Sequence, residues 1–326
     1  MKPGIGIIGC GLIGQKRAQA LKKHFRLETC TDIDSRKARQ LADKYGCQVA
    51  GSSQELLLNS RLQAVVIATI HSDLADLTLQ AIRAGKHVLV EKPGARNLTE
   101  LSSVIAVAKK LNIRVRVGYN HRFHRAFRQA KMIVDAGKLG KLMMIRARYG
   151  HGGRVGYHRE WRANPKLSGG GELIDQGVHL IDLARWFLGD FKKVDGFAQT
   201  LFWHMPVDDN AFLLLRTKAG QTASLHASCT EWKNIFSFEI YGRKGKLHLE
   251  GLGGSYGLEK LSWFRMLPEM GPPDSTIWEY PQKDDSWEVE MGEFARDIRL
   301  MRKPCPGLED AYQALKVVKT VYEKRT

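Results

Sequence analysis

The stretch GIGIIGCGLIG, residues 4–14, decides the fold. Residues 4–8 form a short continuous apolar run, as a buried strand requires. Gly9, Gly11 and Gly14 follow in G-x-G-x-x-G register, and QKRAQALKKH continues as a helix. The glycine pattern alone is weak. It becomes informative when a strand precedes it, a helix follows it, and an acid stands about 20 residues on. LETCTDID supplies the acid, with Asp32 ending the second strand and Asp34 two residues beyond. Each part has a physical purpose in binding a dinucleotide: Gly9 permits a tight turn, Gly11 lets backbone approach a pyrophosphate, and Gly14 lets helix and strand pack closely. The N–H groups at the helix start, at Leu12 and Ile13, face the phosphates. Asp32 can accept from a ribose 2′-hydroxyl and would repel a 2′-phosphate, which favours NAD over NADP. Arg36, nearby, would blunt that repulsion.

Outward from this stretch the alternation continues. Helix 34–45 leads to a short strand at 47–50, then to SSQELLLN, where Ser52 and Glu55 have capping-box spacing. Strand 64–69, helix 72–85 with Gly85 as its C-cap, strand 87–91, helix 98–111 and strand 113–117 complete the series. Six strands alternating with helices predict a doubly wound parallel sheet, a Rossmann domain over residues 1–120. Strand 87–91 runs into Glu91-Lys92-Pro93, which puts Lys92 at the carboxyl end of a central strand, beside the switch-point crevice. Pro93 stiffens that turn and invites a cis bond.

Composition narrows the function. The 326 residues suggest about two domains, and 43% hydrophobic content is ample for packed cores. No apolar run approaches the roughly 20 residues of a membrane span. Residues 4–10 look like a signal segment, but the run is too short and only Lys2 precedes it as a charge. The five cysteines are odd in number, scattered, and form no CxxC, so a reduced, cytoplasmic protein is expected. The net charge of +17 is uneven: residues 1–125 hold 21 Lys/Arg against 9 Asp/Glu. An anionic ligand in the first third fits this excess. The basic residues are dispersed and no aromatic-interleaved pattern accompanies them, so no nucleic-acid partner is expected.

After about residue 120 the rhythm changes. KLMMIRARYG, KVDGFAQTLFW, NAFLLLRTK, QTASLHASC, FSFEIYG and GKLHLEG read as six strands joined by turns such as Lys218-Ala219-Gly220. Residues 251–285, rich in Gly and Pro, read as loop, and helices are expected over 286–303 and 309–324. Residues 121–326 thus form an α+β domain with a large open, mostly antiparallel sheet, and helix 308–324 is a candidate to pack back on the first domain. One uncovered sheet face would expose apolar surface, so a homo-oligomer, a dimer or tetramer, is expected.

Taken in order, Gly9-Cys10-Gly11-Leu12-Ile13-Gly14, Glu91-Lys92-Pro93, VGYNHRF (residues 117–123), Trp161-Arg162 and the Asp175…His179 pair resemble the glucose–fructose oxidoreductase/inositol dehydrogenase/MocA family. The similarity covers essentially the whole chain. It implies hydride transfer between a nicotinamide and a carbinol carbon, usually of a sugar or cyclitol. By position it makes Lys92, Asp175 and His179 the catalytic set, puts Glu91, Trp161 and Arg162 near the cofactor, and Asn120 near the substrate entrance. The family commonly has Thr-Pro after the fourth strand. Here Thr69 is followed by Ile70 and His71, so the shape of that cofactor loop, including Thr69 and His71, is in question.

GGGELIDQGVHLID, residues 169–182, carries the remaining chemistry. On a helix over 172–188, Asp175, His179 and Asp182 fall at i, i+4 and i+7 and share a face. A surface pair would add only about 0.2–0.5 kcal/mol. A metal site would need a third ligand that no HExxH or second cluster supplies, so no metal is expected. A proton relay makes chemical sense, because oxidising an alcohol releases a hydroxyl proton. His179 suits a general base, Asp175 can orient the hydroxyl, and Lys92 favours a developing alkoxide. The glycines would let the helix start close against the cofactor. Asp182 is expected to pair with Arg185 or cap structure.

Substrate charge is read from GHGGRVGYHREWRANPKLS, residues 150–168. His151, Arg154, His158, Arg159, Arg162 and Lys166 face only Glu160, more positive charge than a neutral polyol needs. Arg154 and His158 become candidate substrate contacts, and an anionic nucleotide-sugar or sugar phosphate the expected substrate. The alternatives are a neutral cyclitol or free sugar, or, in another class, a silent dinucleotide sensor or scaffold.

Overall fold

The computed structural model describes residues 2–269 and 271–324. The chain divides into two compact units, residues 1–120 with 287–312, and residues 121–286 with 313–326.

The first unit is built on strands β1 (Gly4–Ile8), β2 (Arg26–Thr31), β3 (Gln48–Val49), β4 (Leu62–Ile67), β5 (His87–Glu91) and β6 (Val115–Gly118). All pair in parallel, in the order β3-β2-β1-β4-β5-β6. Between them run α1 (Leu12–Ala20), α2 (Ser35–Tyr45), α3 (Ser53–Leu58), α4 (His71–Arg83) and α5 (Leu98–Lys110). Near-continuous apolar strands such as AVVI are buried on both faces, as a doubly covered parallel sheet demands. The helix Ser286–Arg299 adds Met291 and Phe294 to the same core, where Phe25 meets Phe294 at 5.8 Å. A buried ion network ties this helix in. Arg17 of α1 donates to Glu91 (2.6 Å) and Glu290 (2.5 Å), and Arg116 of β6 donates to Asp297 (2.8 Å). Breaking such pairs strands a buried charge, so they fix geometry strongly. The segment that joins the first unit thus runs from 287 to 312 and takes in the start of the helix Leu308–Glu323, while the rest of that helix belongs to the second unit.

The second unit holds one eight-stranded sheet: β7 (Leu142–Gly150), β8 (Phe191–Gln199), β9 (Asn210–Thr217), β10 (Thr222–Ser228), β11 (Ile235–Gly242), β12 (Gly245–Glu250), β13 (Glu259–Arg265) and β14 (Asp274–Tyr280). Their order is β14-β13-β12-β11-β7-β10-β9-β8, with β7–β10 the parallel pair and the other neighbours antiparallel. The expected six strands are present. The segment 251–285, read as loop, contributes β13 and β14. Their alternation is short and flanked by Gly/Pro-rich turns, and a cross-strand tryptophan pair, Trp263 with Trp278 at 6.5 Å, supports it. Of the unit's helices, α6 (Arg125–Asp135) starts at Glu259, whose carboxylate accepts from Ala126 N–H (2.7 Å) and sits 2.9 Å from His124 Nδ1.

The expected apolar sheet face is largely polar. Arg146 and Lys246 converge on Glu239, holding its carboxyl down at about 2 against the burial that would raise it, and Arg148 pairs with Glu231. Met143, Met144, Phe197, Leu214 and Ile277 are the exposed large apolar exceptions among these strands.

Candidate active site

In the first unit the parallel strands bring several expected residues to one edge, their carboxyl ends. Gly9 has φ +95°, and a Cβ there would lie 2.5 Å from the Ala68 carbonyl oxygen. A Cβ on Gly14 would lie 2.0 Å from Gly9 O, so this glycine allows α1 to pack on the loop. Gly11 differs, since nothing lies within 4 Å of its Cβ position. Gly11 is also the N-cap of α1 and provides no side-chain cap, leaving Leu12 largely exposed and Ile13 half-buried at the first turn. Free space and unsatisfied N–H groups at a helix start are what a pyrophosphate fills.

Asp32 follows β2, and its carboxylate is fixed by Cys10 N–H (2.7 Å) and Asp34 N–H (2.8 Å). Arg36 is exposed and donates to Asp34 rather than Asp32 (3.1 Å). After β4, Thr69 leads to Ile70, which has φ −70° and ψ 162°. Its φ is the value a proline ring would fix, so the turn keeps a proline-compatible backbone without proline. His71 is the buried first residue of α4. Glu91, expected near the cofactor, is buried with its carboxylate given to Arg17. A Cβ on Gly118 would come within 2.6 Å of that guanidinium, so Gly118 makes room for the pair. Lys92, half-buried, precedes the expected cis peptide to Pro93. Asn120 is buried and opens the 3-10 turn Asn120–Phe123.

The second unit carries Asp175 and His179. The short helix α7 (Pro165–Ser168) closes at Gly169, and a π-helical turn (Leu173–Gly177) then leads into α8 (Val178–Leu188). Asp175 sits in the π turn and His179 in the α segment, both buried. Such π turns mark functional sites often. The three glycines meet this unit's own chain. A Cβ on Gly170 would lie 2.2 Å from the Tyr322 hydroxyl, and one on Gly171 would lie 1.9 Å from Asp208 O. The approach they permit is therefore to Asp208 and Tyr322, a correction to the reading that they admit the cofactor.

Asp208, fully buried, organises this helix start. Its carboxylate accepts from Gly171 N–H (3.0 Å) and Leu173 N–H (2.8 Å), and its carbonyl from Glu172 N–H (2.9 Å). Tyr322, from the helix Leu308–Glu323, donates its hydroxyl to Asp208 (2.8 Å). A carboxylate at a helix N-terminus satisfies orphan donors and suits the dipole. Sequence reasoning missed both residues. The adjacent acids Asp208-Asp209 at the mouth of an apolar strand were the available signal.

Around the pair, Arg162 donates to Asp175 (2.9 Å). Burial opposes the Arg162 charge, yet Asp175 and then Tyr157 and Glu160 hold its pKa above its ordinary value. His121 meets His179 edge to face, with ring centres 3.8 Å apart, and was also missed. His151 accepts Gly153 N–H at Nδ1 (3.0 Å), and its Nε2 lies 3.6 Å from Glu172. Burial pushes its pKa below the usual histidine value, with Asp175 opposing. Burial, Tyr256, Glu172 and Asp175 together hold the Tyr149 hydroxyl well above its usual range.

Other expected residues are placed differently. Asp182 takes a bidentate pair from buried Arg122 (2.8 and 2.6 Å), and Arg185 donates to Asp190 (2.9 Å). Arg154 is held bidentately by Glu160 (2.6 and 2.6 Å), and Arg159 donates to exposed His158 (3.2 Å). Trp161 is half-buried, with the Arg162 guanidinium 4.6 Å from its ring centre. Among the described residues no group of three His, Cys, Asp or Glu side chains is placed to hold a metal ion, and no helix is long and apolar enough to cross a membrane.

Comparison with known proteins adds to this geometry. Residues 4–119 match the model described as an oxidoreductase family with an NAD-binding Rossmann fold, and residues 127–248 match the GFO/IDH/MocA C-terminal domain. Inositol 2-dehydrogenase 2 of Saccharopolyspora erythraea is 30% identical, covering 96% of this chain and 83% of its own. Myo-inositol 2-dehydrogenase of Thermotoga maritima is 25% identical, covering 99% and 97%. Among solved structures, levoglucosan dehydrogenase in complex with NADH and levoglucosan superimposes with a TM-score of 0.91, at 21% identity and 99% and 97% coverage, a likeness of fold.

Proposed function

The chain belongs to the glucose–fructose oxidoreductase/inositol dehydrogenase/MocA family of oxidoreductases, and on that premise we propose that it transfers hydride between NAD and a ring secondary hydroxyl of a neutral polyol, a cyclitol or sugar. The observation that carries the neutral substrate is the pairing of the basic loop. Arg154 is committed to Glu160, and Arg162 to Asp175 and Glu160. Of the loop's four permanent cations, Arg154, Arg159, Arg162 and Lys166, two are thus held by carboxylates, Glu160 within the loop and Asp175 beyond it, which weakens the case for an anionic sugar. The relatives named as inositol dehydrogenases point the same way.

In this reading the open space at Gly11 and the backbone of Gly9, Leu12, Ile13 and Gly14 hold the pyrophosphate, and Asp32 holds the adenosine ribose. Bound NAD supplies the hydride acceptor. His179 takes the hydroxyl proton, Asp175 orients that hydroxyl, Arg162 keeps Asp175 in place, and Lys92 favours the alkoxide. Asp32 disfavours a 2′-phosphate, and Arg36, which could relieve that repulsion, is drawn to Asp34. We further propose a cytoplasmic homo-oligomer, a dimer or tetramer, without a nucleic-acid partner. In a groove of the first unit lined by Lys23, Arg26, Arg61 and Arg296, those cations pair with Glu288, Glu28 and Glu293.

The test is a turnover panel with NAD and NADP against inositols, free hexoses, sugar phosphates and nucleotide-sugars. NAD with a neutral compound should give the highest kcat/KM. His179→Ala and Lys92→Ala should each lower kcat by on the order of 10²-fold or more, with NAD affinity little changed and chelators without effect. A sugar phosphate or nucleotide-sugar as the best substrate, or equal use of NADP, overturns the reading. Absence of any turnover would leave the sensor alternative.

A further inference from the structure

We propose that Trp232 and Phe202 form a stacking platform for a second pyranose ring, so that the substrate is a disaccharide or glycoside. This rests on the polyol reading above and extends it. Trp232 is 72% exposed and Phe202 53% exposed, and their rings meet edge to face at 4.8 Å. Trp232 also has φ +56°, a backbone region that bulky side chains enter only under constraint. Large aromatic faces held in water in a costly conformation mark a binding surface more often than ordinary loop composition.

The platform is built rigidly. The N–H groups of Leu201, Phe202 and Trp203 all donate to the Asp209 carboxylate, each at 2.8 Å. Trp203 supports Phe202 at 5.1 Å and anchors its own Nε1–H on Cys229 O (2.9 Å). A Cβ on Gly153 would come within 2.4 Å of the Trp203 ring, so the loop that carries Arg162 is fitted to it. Rigidity lowers the ordering cost of binding.

Two neighbouring carboxylates couple the platform to the catalytic wall. Asp209 holds the platform loop while Asp208 holds the start of the helix that bears Asp175 and His179. From the other side, Glu231 N–H donates to His151 O (3.0 Å), and His151 lies against Glu172. Gly152 leaves room for the Trp232 backbone, which a Cβ there would meet at 3.1 Å.

A pyranose presents an apolar C–H face to an aromatic ring and hydroxyls around its rim, the pairing of apolar body and polar edge that this surface suits. Two rings match one sugar. They fall far short of the roughly 800 Å² per partner that a stable protein interface buries.

The experiment compares kcat/KM for glucose disaccharides with that for glucose, using the whole enzyme with NAD, alongside tryptophan-fluorescence titrations of the same sugars without turnover. A disaccharide should be favoured by about ten-fold in both readouts. Trp232→Asn, a residue that tolerates positive φ, and Phe202→Ser should each collapse that ratio toward one. A ratio near one in the unmodified enzyme, or one that survives both substitutions, overturns the proposal. If no sugar or cyclitol is oxidised, the polyol reading fails, and the fluorescence ratio still decides the platform.

Discussion

Two glycine-led helix starts invite comparison. At residues 9–14 the first unit enters α1, and at residues 169–177 the second unit enters the helix of Asp175 and His179. In sequence both are glycine clusters before a helix. In space they serve opposite ends. Gly11 faces nothing within 4 Å and α1 has no side-chain cap, so the donors are left for a ligand. Gly170 and Gly171 are filled by Tyr322 and Asp208, and Asp208 caps the helix from within the protein. A missing side chain can therefore make room for a substrate or for the chain itself. Only the partner distinguishes the two.

The comparison breaks most visibly at Gly171. Gly171→Ala puts a methyl 1.9 Å from a backbone carbonyl, which no rotamer change relieves. It should cost more than about 4 kcal/mol and abolish turnover. A variant that melts within a few degrees of the parent would show the helix start to be adaptable, and the contrast with Gly11 would dissolve. Next is Asp208→Asn. The shape is kept, but a carboxylate serving buried N–H groups becomes half an acceptor, at about 1–3 kcal/mol. Because Asp208 positions rather than touches substrate, kcat should fall about ten-fold through misplaced Asp175 and His179 while NAD affinity holds. An equal loss of NAD affinity would place Asp208 in the wrong role.

How much was legible follows from the range of each contact. Gly9, Gly11, Gly14 and Asp32 are read from local spacing, and so is the strand–helix alternation of residues 1–120. The six strands expected in the second sheet show their alternation too. β13 and β14 do not, since their seven residues each are isolated by turns and are secured by pairing across strands. Local spacing likewise suggests for Asp182 either Arg185, three residues away, or a capping role, and cannot reveal Arg122, which bonds it from 60 residues earlier. Asp208 reaches Gly171 across 37 residues. Buried carboxylates choose partners by tertiary position, and burial is what an isolated sequence conceals. The basic loop is subject to the same limit, since counting charges cannot show that Arg154 folds back on Glu160.

A smaller effect should appear at the open start. Gly11→Ala meets no atom and its φ is ordinary, so stability should stay within about 0.5 kcal/mol of the parent. The methyl occupies the space proposed for the pyrophosphate, and the NAD dissociation constant should rise about ten-fold or more by titration. Unchanged affinity would mean that this glycine's space is not used.

The smallest change isolates the contribution of one hydroxyl at the closed start. Tyr322 Oη donates to Asp208 Oδ1 (2.8 Å) and accepts from Gly171 N–H (3.1 Å), while its ring edge fills the place a Gly170 side chain would take. Tyr322→Phe keeps the ring and removes the hydroxyl alone. Asp208 still accepts from Gly171 and Leu173, so the helix start remains capped, and a net loss of about 1 kcal/mol is expected. In urea the midpoint should fall with an unchanged slope, because the surface exposed on unfolding is the same. Turnover should hold within about two-fold, since the remaining bonds keep Asp175 and His179 in place. A loss as large as that of Asp208→Asn would show that the hydroxyl, rather than the carboxylate, governs the helix start, and the capping argument would have to be rebuilt around Tyr322.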